Sequence, residues 1–264
     1  MKHNQKSMIA VALMLPMSLF ANLMYQGKPI DALCFYNMAE KNPTVSLKTC
    51  GISAVPGQAV AGQNKHLESQ GYTGFTYTVK TPGSAYVAQG YSYYKTYGQI
   101  NGYEVLYAVN NSGGNGEFSN LMLVKQVGDT LQLKTIAGGD RCNGGVSHIK
   151  NNGKVFSYDV NVTPFDFLTL ANNNIHQLKA YDDLQACAAC CIATAHYQYT
   201  SGNQPVLSQL NLNQDASQAG AVPGMTYQTC FNKWLHDYMS NGKTSMSVQA
   251  LAEFVQTFNQ QCKK

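Results

Sequence analysis

The chain has 264 residues, a formal net charge of +4 and only 12 % charged residues, about half the share usual in soluble proteins. So slight a basic excess leaves no electrostatic footprint for nucleic acid or an anionic membrane. At this length the chain can bury a sizeable core, as one large domain or two small ones.

The predicted elements begin with a leader. Lys2 and Lys6 precede a short apolar run at 8–15, followed by Pro16 and Leu19-Phe20-Ala21. That is the layout of a secretory signal peptide, cut after Ala21. The run is far too short for a hydrocarbon core about 30 Å thick, and no later stretch reaches the roughly 18 apolar residues of a membrane helix. Losing the two leader lysines lowers the net charge from +4 to +2.

Residues 22–71 follow no clear period. With turns at Asn42-Pro43 and Pro56-Gly57 they are predicted as an N-terminal capping segment. Residues 72–200 are predicted as an antiparallel β-rich domain with one inserted helix. Strand patterns occupy 74–79, 86–95, 103–109, 121–127, 131–136, 146–149 and 155–158. Gly128-Asp129 and Asn151-Asn152-Gly153 supply tight turns, and 110–116 is a glycine-rich hairpin loop. Thr163-Pro164-Phe165-Asp166 opens the helix, with Thr as cap, Pro at the first position and Asp against the helix dipole. It closes at Asn172-Asn173-Asn174, and a further strand covers 192–199. Residues 201–264 are predicted as a linker and a helical hairpin. Tyr227, Cys230, Phe231, Trp234 and Tyr238 recur at helical spacing, as do Val248, Leu251, Val255, Phe258 and Cys262. The fold class is therefore α+β, an antiparallel β-sheet body, sandwich or open barrel, with a C-terminal disulfide-linked helical hairpin.

Eight cysteines, Cys34, Cys50, Cys142, Cys187, Cys190, Cys191, Cys230 and Cys262, all lie beyond the leader. An even count in an exported chain reads as disulfides. Cys230 near the start of one helix and Cys262 at the end of its antiparallel neighbour share one end of the hairpin and should pair. Cys34 and Cys50 form the natural local pair. Cys142 then bonds one of Cys187, Cys190 and Cys191, and the other two bond each other. The alternative uses of the Cys187-Ala-Ala-Cys190-Cys191 cluster are weaker. The strand-rich context does not suit a thioredoxin-like motif, and an oxidising compartment disfavours a zinc site.

Three places could carry chemistry. In residues 136–148, two Gly-Gly pairs bracket Asp140, the chain's only arginine, Arg141, and Cys142. As a ligand loop, Arg141 would grip a carboxylate or phosphate through its planar fork and His148 would exchange protons. As a structural turn, Cys142 would tie it down and Arg141 would pair with Asp140. His196 is a second proton-transfer candidate, on a strand face shared with Cys190, Ile192 and Thr194. Tyr91 and Tyr93 lie on one face of a tyrosine-rich strand and Tyr94 on the other. Exposed, the first two would offer rigid contact area to a protein or glycan. Asn110 and Asn161 head glycosylation sequons.

These patterns favour a secreted or periplasmic binding protein without catalysis, needing no cofactor or metal. Its partner would be a protein, a glycan or a small anionic ligand, met through Arg141, Tyr91 and Tyr93. The rivals are an exported hydrolase, its site gathering Asp140, Arg141, His148 and His196, and a thiol oxidoreductase using Cys187 and Cys190. The hydrolase requires a histidine hydrogen-bonded to an acid and facing a pocket.

Overall fold

A computed structural model describes residues 23–35, 44–51, 58–60, 64–80, 83, 85, 87–171, 181–200, 202, 204–218 and 220–262. The leader, the turns at Asn42-Pro43 and Pro56-Gly57, and the Asn172-Asn173-Asn174 stop lie outside the described residues.

The chain enters through a small ladder, β1 (Met24–Tyr25) and β2 (Lys28–Pro29), and a 3-10 turn at Ala32–Phe35. Two short strands follow, β3 (Thr44–Ser46) and β4 (Gln58–Val60), then helix α1 (Lys65–Ser69). A meander comes next: β5 (Thr73–Lys80), β6 (Val87–Ile100), β7 (Tyr103–Asn111), β8 (Phe118–Val127) and β9 (Thr130–Asp140). Every pairing is antiparallel, and β3 and β4 close the two edges of a seven-stranded sheet ordered β3-β9-β8-β7-β6-β5-β4. Gly128-Asp129 forms the β8–β9 turn, as its residues dictate; Gly128 has φ +57°.

Both faces of this first sheet are covered. On one side Leu23, Ile30, Cys34, Phe35, Val45 and Leu47 from the N-terminal residues meet Tyr94, Leu106, Met122 and Leu131. On the other side Tyr93, Val105, Leu121 and Leu123 meet a second sheet through Val146, Ile149, Phe156, Tyr158 and Tyr199. The neighbours Tyr93 and Tyr94 point to opposite faces, and each is only 1 % exposed. Double-sided burial replaces alternation with a near-continuous apolar run, as in the Val105–Val109 stretch of β7.

The second sheet comprises β10 (Val146–Asn151), β11 (Val155–Val162), β12 (Ala193–Thr200), β13 (Val206–Leu212) and β14 (Ser245–Ser247), in that order. Between β11 and β12 stands α2 (Pro164–Leu170). Thr163 caps it, and the Asp166 carboxylate answers the Thr163 N–H in a capping box. The stretch from 201, read as a linker before the helices, supplies β13, and the connection between the two helices supplies β14.

Helices α3 (Thr226–Met239) and α4 (Val248–Gln261) pack Phe231, Leu235, Leu251, Phe254 and Phe258 against Ala193, Ala195, Leu210, Leu212 and Met246. Ser247 caps α4 by accepting the Ala250 N–H. The second sheet thus buries a single face, shared between the first sheet and the helices. Disulfides join Cys34 to Cys50, Cys142 to Cys191, Cys187 to Cys190 and Cys230 to Cys262, and no cysteine is free. Four such bonds fit a disulfide-stabilised protein of the extracellular type.

Candidate functional site

The glycine-flanked loop carries the chain from the first sheet to the second. Its glycines answer to close backbone approach. A Cβ on Gly139 would stand 1.9 Å from the Asn143 carbonyl, and one on Gly145 would stand 2.2 Å from that of Arg141. The Asp140 and Asn143 backbones bond each other in both directions at 2.9 Å. The Arg141 carbonyl accepts from Gly145 N–H at 3.0 Å and from Asn161 Nδ2 at 3.0 Å. The Cys142–Cys191 bond and a Cys142 N–H to Ala188 carbonyl contact fix the outer side.

Arg141 spends its fork within this turn. Its Nε lies 2.9 Å from Asp140 Oδ1 and its Nη2 lies 3.2 Å from Oδ2. The Arg141 hydrogen bond, with the Glu117 backbone N–H, holds the Asp140 carboxyl below the ordinary carboxylate range. An arginine already matched by a carboxylate has little fork left for a ligand, so the turn reading describes this segment better than an open anion grip.

The tyrosines divide. Tyr93 is a core residue whose ring offers a partner no area, a correction that follows from the sheet being covered on both sides. Tyr91 is half-buried, and burial, then Glu117, pushes its hydroxyl up to about 12. The sequon residue Asn110 is fully buried and accepts from Ser92 Oγ at 2.6 Å.

His148 and His196 meet at an acid that sequence reasoning missed. On the β11–β12 ladder, His196 stands opposite Asp159, and Asp159 stands opposite Ser147 on β10. The β10–β11 register shifts between Ser147 and Lys150, and His148 sits in this bulge with φ +50°. A bulge re-aims a side chain, and left-handed backbone in a non-glycine residue persists only where its surroundings hold it. Here the imidazole is aimed sideways. His148 Nδ1 lies 2.9 Å from Asp159 Oδ2, and His196 Nδ1 lies 2.5 Å from Oδ1. A carboxylate oxygen accepts, so each facing Nδ1 donates its hydrogen to Asp159. The two imidazoles clasp one carboxylate across three strands.

The clasp centres a polar row. Ser147, Asp159, His196, Gln209 and Ser247 are successive partners across all five strands. A parallel row runs Asn161, Thr194, Asn211 and Ser245. None of these nine side chains is buried. His196 shares this face with Thr194 alone of its expected companions. The strand begins at Ala193, and Ile192 turns into the helical core. Asn161, two residues along from Asp159, joins the face to the Arg141 turn. The alternation Phe156-Ser-Tyr-Asp-Val-Asn161 was the signal that could have revealed Asp159 as a face residue.

The chemical capacity is proton exchange and hydrogen bonding. Ser147 Oγ lies 3.3 Å from His148 Nδ1, the nitrogen that also faces Asp159. A serine nucleophile needs the imidazole nitrogen opposite the carboxylate. Among the described residues, no cluster of three or more His, Cys, Asp or Glu side chains is placed to hold a metal. Cys187 lies exposed on a turn that the Cys190 N–H to Cys187 carbonyl bond also closes. Comparison with known proteins finds no matching family model, curated protein or solved structure.

Proposed function

We propose an exported binding protein that meets its ligand through the open face of the second sheet, with the His148–Asp159–His196 clasp at its centre. One observation carries the reading: a row of hydrogen-bonding side chains crosses all five strands on a face with no buried member. Export is supported by the eight paired cysteines, since reducing compartments do not sustain such bonds. Binding is favoured over hydrolysis because Ser147 and Asp159 crowd the same ring nitrogen, leaving no relay from carboxylate through imidazole to hydroxyl.

The face suits a polar ligand, a glycan or a small organic anion, held by hydrogen bonds. The test is an NMR titration with sialyllactose, a heparin tetrasaccharide and citrate. Shifts centred on β11 and β12 that vanish in His196→Ala support the reading. Shifts confined to Tyr91 and its neighbours, no shifts with any probe, or cleavage of a probe would each replace it.

A further inference from the structure

On the opposite side of β12, the margin between the two sheets holds a cavity of about 430 Å³, within the range usual for small-molecule sites. Ile100 and Leu123, 2 % and 5 % exposed, belong to its apolar wall. Tyr103, from the start of β7, and Tyr199, near the end of β12, add two rings. Tyr199 is fixed by stacking on Phe156 at a centroid distance of 4.8 Å. The one cation in the lining, among the described residues, is Lys134, whose Nζ lies 5.7 Å from the Tyr199 ring centre. No aspartate or glutamate lines the cavity among the described residues, and Gln132 supplies a neutral hydrogen-bonding group.

These observations fit one another. An apolar floor rewards a hydrocarbon or aromatic body in proportion to the area removed from water. A lysine at the mouth, resting on a tyrosine face rather than on an acid, favours an anionic head and penalises a cationic one. We infer that this cavity binds a small amphipathic carboxylate, an acid group carried on an apolar body, with the head at Lys134 and the body between Tyr103 and Tyr199. The site lies on the inner side of β12, whereas the His196 clasp lies on the outer side, so the two assignments stand or fall separately.

Isothermal titration of the intact, disulfide-bonded chain with decanoate, and in parallel with decylammonium, tests it. Decanoate should bind at one site at least tenfold more tightly than decylammonium. Lys134→Glu should weaken decanoate at least tenfold and narrow or reverse the preference, and the milder Lys134→Gln should fall between; circular dichroism would confirm that both remain folded. In an NMR titration the shifts should gather at Ile100, Tyr103 and Leu123 and leave His148 and Asp159 unmoved. The inference is overturned if decanoate does not bind, if both amphiphiles bind equally, if Lys134→Glu binds decanoate as the parent does, or if the shifts map to another surface.

Discussion

The two sheets share one strand chemistry and differ in what covers them. The seven-stranded sheet is packed on both sides, so adjacent tyrosines on β6, Tyr93 and Tyr94, both vanish into core. The five-stranded sheet is packed on one side, so Tyr158 is buried while its neighbour Asp159 reaches two histidines at the surface. Residue type alone therefore misleads. Tyrosine-rich β6 resembles a contact surface and is largely structural, whereas the polar alternation of β11 carries the side chains free to act.

The sharpest way to break this contrast is to cut into the double-sided sheet. Tyr94→Ala empties a site edge-on to Phe35 at 4.8 Å and should cost about 3–5 kcal/mol in chemical denaturation, the range for large aromatic truncations. Tyr94→Phe should be neutral or stabilising, because the buried hydroxyl finds no hydrogen-bond partner and deleting such a group removes a desolvation cost of about 1–3 kcal/mol.

The disulfides rank next. Replacing Cys230 and Cys262 by serine opens a crosslink 32 residues apart and should cost about 3–4 kcal/mol in the chain-entropy model. The same change at Cys187 and Cys190, three residues apart, should cost about 2 kcal/mol or less. Paired urea melts would compare them.

Alkali should report the tyrosine burial that both sheets share. Burial pushes the hydroxyls of Tyr94 and Tyr107 in the first sheet, and of Tyr197 in the second, up to about 12. A raised folded value means the neutral phenol is favoured by folding. That stabilisation is whole below the unfolded tyrosine value near pH 10 and is lost as pH rises toward about 12. Unfolding followed by circular dichroism should coincide with a late, cooperative rise in tyrosinate absorbance. A smooth rise near pH 10 with the fold intact would contradict the burial.

The smallest effect belongs to the Arg141 turn. The Arg141–Asp140 pair is open to solvent on its arginine side, and such pairs contribute little to stability. Arg141→Gly also relieves the φ of +48°, so the net change in melting should be close to zero, far below that of Tyr94→Ala.

Much of this architecture was legible locally. Gly128-Asp129 and Asn151-Asn152-Gly153 announce turns through their own backbone preferences, and the Thr163 cap, the Cys34–Cys50 pair and the Cys230–Cys262 pair follow from short-range geometry. The β13 alternation, with Gln209 and Asn211 against Leu210 and Leu212, is present in the sequence but lies in the stretch predicted as a linker. Three-residue β14 has no period of its own and exists because it pairs with β13. The clasp was beyond local reading for the same reason. It needs the β11–β12 register and the His148 bulge, which arise from the whole sheet. Coverage of the first sheet on both faces is likewise a tertiary fact, and it decides the fate of Tyr93.

Hydroxyl-radical footprinting of the intact chain, read residue by residue by mass spectrometry, tests the contrast most directly. His148 and His196, 76 % and 31 % exposed at the side chain, should be labelled in the free protein, and Tyr93 and Tyr94 should be protected. Protection of both histidines, or labelling of either tyrosine under native conditions, would contradict the division between a covered sheet and an open one.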